Sequence, residues 1–136
     1  MFKRISFCLM LTAGIITANS VTAQAESWTA WDGCVPLMIG SPMHDWLYNA
    51  DIRSDYMNCD TPRGSSTQLH IFGGGVDKRS EWAEWPYLTV AGPPKGSQKQ
   101  PFWVCGEAWR KDKPGDEARL LGRPCAKVAA SGGRSG

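Results

Sequence analysis

The sequence predicts an α+β fold: one early helix packed on a small antiparallel β-sheet, stapled by two disulfides. Three observations carry that expectation. Apolar residues after Ser41-Pro42 recur at three- and four-residue spacing; those after Thr67 alternate with polar ones; and four cysteines remain once an export signal is set aside. At 136 residues the chain is long enough for one domain and too short for two ordinary ones. Residues 1–25 read as a signal peptide, 26–128 as a single small disulfide-stapled domain, and 129–136 as a disordered tail.

The signal reading rests on Lys3 and Arg4, the apolar run from Ile5 to Ile16, and the small-residue site Ala23-Gln24-Ala25. Such a run is too short to span a bilayer, which takes about 20 residues, so cleavage after Ala25 and no membrane span thereafter are expected. Cys8 leaves with the peptide. The remaining cysteines, Cys34, Cys59, Cys105 and Cys125, are even in number in an exported chain, which points to disulfides. Sequential pairing, Cys34 with Cys59 and Cys105 with Cys125, closes the shortest loops. Zinc competes poorly, because there is no C-x-x-C pair and His44 and His70 lie far from every cysteine in sequence. No metal and no cofactor are expected.

The helix is expected over residues 42–58. Ser41 supplies a capping oxygen, Pro42 suits the first helical position, and Met43, Trp46, Leu47, Ala50, Ser54 and Met57 form an apolar stripe. The stretch from Asp60 to Ser66 carries turn residues and ends the element. Strands are expected at Thr67–Phe72, Tyr87–Val90 and Phe102–Trp109, with a weaker one at about 119–128. Gly73-Gly74-Gly75 is a turn, since it lacks the Lys-Ser/Thr and the helix start of a phosphate loop.

Charge bounds the partners. Without Lys3 and Arg4 the chain carries 13 basic and 13 acidic residues, which argues against a nucleic-acid binder. The charges are segregated along the chain. Acids prevail up to Asp77, where only Arg53 and Arg63 oppose them, and bases prevail from Lys78 onward. Packing of the two halves against each other is expected to neutralise much of this.

Seven tryptophans are the most unusual feature of the composition. Trp46 falls on the helix stripe, and Trp103 and Trp109 share a strand face with Cys105, so a core role is expected for these. Trp82 and Trp85 differ, because Glu81-Trp82-Ala83-Glu84-Trp85-Pro86 sets two indoles among carboxylates in a turn. Trp82, Trp85, Glu81 and Glu84 are therefore the candidate binding residues. Exposed indoles anchor protein partners, and flanked by acids they also suit sugar stacking. Folded back onto the sheet, they need no function at all.

Catalysis has less support. His44 and Asp45 are adjacent on the expected helix and point apart, His70 alternates with Leu69 and Ile71 and so faces solvent or a polar seam, and no G-x-S-x-G or H-E-x-x-H occurs. Glu81 and Glu84 are the one carboxylate pair that fits a minimal glycoside hydrolase, yet a chain this small has little room for the desolvated cleft such chemistry needs. In size, disulfides and β-rich build the chain resembles, in class only, small exported inhibitors and accessory proteins of cell-envelope machines. The expectation is an exported module, periplasmic or secreted, that binds a protein partner in the envelope or outside the cell. A cell-wall or glycan-binding module is the alternative within binding.

Overall fold

The computed structural model describes residues 27–40 and 45–135; the expected signal peptide and His44 lie outside them. Nine strands form two antiparallel sheets. The first sheet holds β1 (Trp28–Asp32), β2 (Val35–Gly40), β3 (Asn49–Arg53) and β6 (Tyr87–Ala91) in the order β1-β2-β3-β6. The second holds β4 (Ser66–Gly73), β5 (Val76–Arg79), β7 (Phe102–Lys111), β8 (Arg119–Gly122) and β9 (Cys125–Val128). Its order is β5-β4-β7-β8, and β9 pairs with the N-terminal half of β7 while β8 pairs with the C-terminal half.

The expected α+β fold is corrected to an all-β one: among the described residues there is no α-helix packed on a sheet. Within the segment read as a helix, residues 49–53 form β3 and Ser54–Tyr56 make one turn of 3-10 helix. The physical reason is a second period in the same residues. Ala50 and Ile52 are buried while Asn49, Asp51 and Arg53 are not, an alternation that suits a strand. Pairing with β2 on one side and β6 on the other then satisfies the backbone, and that tertiary gain overrides the helical spacing. Trp46, expected in the core, is 45% exposed.

β2 shows how a proline enters a sheet. Pro36 lies opposite Trp31 of β1, but the β2–β3 ladder starts only at Met38, so no bond to β3 is lost. The weak C-terminal strand is two strands, split where the chain turns through Arg123 and Pro124. Residues 129–135, within the segment read as a disordered tail, turn back along β9: Ser135 donates to the Lys127 carbonyl at 3.0 Å and Ala129 to Gly133 at 2.9 Å.

The core lies between the sheets. Val35, Leu37, Ile39, Ala50, Ile52, Leu88 and Val90 face Leu69, Ile71, Val104, Ala108, Ala126 and Val128. Small residues on β7 set the spacing. A Cβ on Gly106 would stand 3.2 Å from Ile52 and 3.3 Å from Leu37, so a larger residue there would have to push these side chains aside. This corrects the expectation for Trp103 and Trp109, which share the outer face of β7 with Cys105 while Val104, Gly106 and Ala108 point inward. Burial also pushes the Tyr48 phenol up to about 12.

Both disulfides follow the sequential pairing. Cys34–Cys59 ties the β1–β2 turn to the segment after the 3-10 turn, and Cys105–Cys125 joins facing positions of β7 and β9. They are consistent with an oxidising, exported location. Among the described residues no helix is long and apolar enough to cross a membrane.

Candidate binding surface

The segment 81–86 runs between the sheets and is pinned at two points. Ala83 exchanges backbone hydrogen bonds with Thr67 of β4, at 2.8 and 3.0 Å. Three residues on, the Pro86 carbonyl accepts from the Ser54 amide at 3.1 Å and from Ser54 Oγ at 2.8 Å. Trp85 sits between the pins with 57% of its surface exposed. The short span leaves its backbone little freedom to fold the indole back onto the core.

Immediately after, β6 alternates, burying Leu88 and Val90 and turning Tyr87, Thr89 and Ala91 outward. Tyr87 is 66% exposed and pairs across the sheet with Arg53 of β3. The Arg53 guanidinium lies 5.7 Å from the Tyr87 ring centre and 5.0 Å from that of Tyr56, an exposed residue of the 3-10 turn. Both separations are within cation–π reach. A weak pair with Asp55 at 3.7 Å holds the other side of the guanidinium. Trp85 and Tyr87, with Arg79 and Glu81 at the margin, border an open depression of about 460 Å³.

No protein-family model matches the chain, no similar curated protein is found, and no solved structure matches it. Function is therefore read from the chemistry of its surfaces.

The structure divides the four candidate residues. Trp85 and Glu81 share the depression, whereas Trp82 and Glu84 are not part of its lining. Trp82 is half-buried, with Lys111 Nζ 4.6 Å from its ring centre. Glu81 and Glu84 are both exposed. Sequence reasoning missed Tyr87, Arg53 and Tyr56. Outward parity in a strand was the available signal for Tyr87, but reading β3 as a helix hid the pairing that brings Arg53 beside it.

Buried Glu107 and His70 lie elsewhere, on the outer face of the second sheet. Glu107 accepts from Trp109 Nε1 at 3.2 Å and from Arg123 Nε at 2.6 Å, and its Oε1 lies 2.9 Å from His70 Nδ1. His70 Nε2 lies 2.6 Å from Asp77 of β5. The Arg123 amide donates to Asp32 at 2.7 Å and so links this network to the first sheet. His70 thus occupies a polar seam. Phe72 stacks on its ring at 4.7 Å, and the network joins β4, β5, β7 and the β8–β9 turn. Among the described residues no cluster of three or more His, Cys, Asp or Glu side chains could hold a metal ion.

Proposed function

We propose that this chain is an exported protein-interaction module, periplasmic or secreted, that acts by binding through the face formed by Trp85, Tyr87, Tyr56 and Arg53. One observation carries the reading: two large aromatic side chains more than half exposed, next to each other, on a backbone pinned in place. Trp, Tyr and Arg are the residue types that dominate binding energy at interfaces. The disulfides support residence in an oxidising compartment, where such a module meets envelope or extracellular proteins.

The test compares wild type with a Trp85→Ser/Tyr87→Ser variant of unchanged thermal midpoint, each immobilised and exposed to envelope extract and culture medium. The reading expects at least one polypeptide retained in stoichiometric amount by wild type and lost by the variant. Identical retention by both proteins would remove it. Glu81 beside Trp85 favours a glycan ligand as the second reading, in which cell-wall polysaccharide sediments wild type and leaves the variant in solution.

A further inference from the structure

A buried guanidinium at the C-terminal end of β7 lacks a counter-charge. Arg110 is 2% exposed and forms no ion pair with a carboxylate among the described residues. Its Nη1 donates to the Asp60 carbonyl and its Nη2 to Thr61 Oγ1 at 3.3 Å, while its Nε has no partner among the described residues. Neutral acceptors thus meet part of its demand, and the carboxylates of Asp60 and Asp112 act on it only from beyond ion-pair distance. Natural interiors avoid such an arrangement, because a desolvated cation without an anion is strongly unfavourable.

Arg110 borders a depression of about 370 Å³ beside the Cys34–Cys59 disulfide, with Asn58, Asp60 and Arg119 also at its edge. Arg119 is half-exposed and paired only with Asp112, at 3.4 Å. Burial first, and then the positive charge of Arg119, push the Arg110 guanidinium below its ordinary value; Asp112 and Asp60 offset this only in part. Arg110 and Arg119 thus share one depression with the carboxylate of Asp60, while Asp112 engages Arg119 from outside its lining. The remaining wall is apolar, formed by Leu120, which is exposed, and Leu121.

We propose that this depression binds a carboxylate bearing an apolar group, the carboxylate lying at Arg110 and Arg119 and the apolar group on Leu120 and Leu121. A guanidinium presents paired donors that match a carboxylate, and the Asn58 amide can add another. A free acid and the C-terminal end of a peptide offer the same chemistry. The site has no lining residue in common with the Trp85 depression and does not depend on it.

The experiment follows the amide resonances of Asn58, Arg119, Leu120 and Leu121 in the labelled, oxidised protein. Titrants are N-acetyl-leucine, its uncharged analogue N-acetyl-leucinamide, inorganic phosphate, and a tetrapeptide of three alanines ending in leucine with a free carboxylate. Saturable shifts with N-acetyl-leucine or the tetrapeptide, and none with the amide, are expected. Binding of the tetrapeptide alone identifies a chain end as the ligand. Arg119→Ala should weaken binding at least about tenfold with the spectrum otherwise retained, and Lys127→Ala should leave it unchanged. Absence of saturable shifts with both acids overturns the proposal. So does equal binding of the amide, phosphate binding as tight as that of N-acetyl-leucine, or full affinity in Arg119→Ala.

Discussion

Glu107 gathers donors from its own strand, from β4 and from the β8–β9 turn, and that makes a single carboxylate a strut for the second sheet. Burial alone would raise its carboxyl. The hydrogen bonds from His70, Trp109 and Arg123, together with the charge of Arg123, outweigh burial and hold it below the ordinary value. A lowered folded-state value adds stability that is complete above the unfolded-state value of about 4.3 and is lost as pH falls through the folded one. Urea midpoints of wild type should therefore drop below about pH 4, and Glu107→Gln should flatten that part of the curve. At neutral pH the same substitution should cost about 1–3 kcal/mol in equilibrium unfolding, since it weakens the hydrogen bonds that the buried carboxylate accepts from His70, Trp109 and Arg123. Trp85→Ser and Tyr87→Ser, by contrast, remove exposed rings and should each change stability by less than about 0.5 kcal/mol. Trp85→Ser should show instead in acrylamide quenching as the loss of one readily quenched indole, with those of Trp31, Trp46 and Trp103 retained.

β3 is the element where two periodicities compete, and the packing decides between them. Ile52 is fully buried between the sheets whereas Asp51 faces outward, so Ile52→Ala should cost about 2–4 kcal/mol in urea unfolding and Asp51→Ala less than about 0.5 kcal/mol. Gly106→Val on β7 should destabilise by about 1–3 kcal/mol through overpacking against Leu37 and Ile52. The strands at β4, β6 and β7 were legible in sequence because their residues alternate or are β-rich and are bounded by glycine and proline. β2 was not, because Pro36 in an apolar run reads as a breaker until its place outside the β2–β3 ladder is known. β1 and β5 are short edge strands that carry little pattern. The helical stripe through Met43, Trp46 and Ala50 was real in the sequence, but nothing in it encoded the two neighbouring strands that claim residues 49–53. At the proposed binding face, the exposure of Trp85 was legible from its acidic, turn-like setting. Tyr87 and Arg53 were not, since their proximity is a property of the sheet.

Across the whole molecule, the two disulfides close loops with sequence separations of 25 and 20 residues. Replacing Cys34 and Cys59 with alanine should lower stability by about 3 kcal/mol, read from denaturant midpoints of the oxidised variant against wild type. The fold sets strands of both chain halves side by side: β4 and Asp77 of β5 join the second sheet with the basic strands, and β6, which carries no charge, is the one strand of the basic half in the first sheet. That one crossing has a kinetic meaning. β4 and β5 lie between β3 and β6 in sequence, so the β3–β6 pairing closes a long loop and its loop entropy must first be overcome. The face made by Arg53 and Tyr87 therefore does not exist on a nascent or partly folded chain. A partner of the proposed kind would therefore recognise completed molecules only.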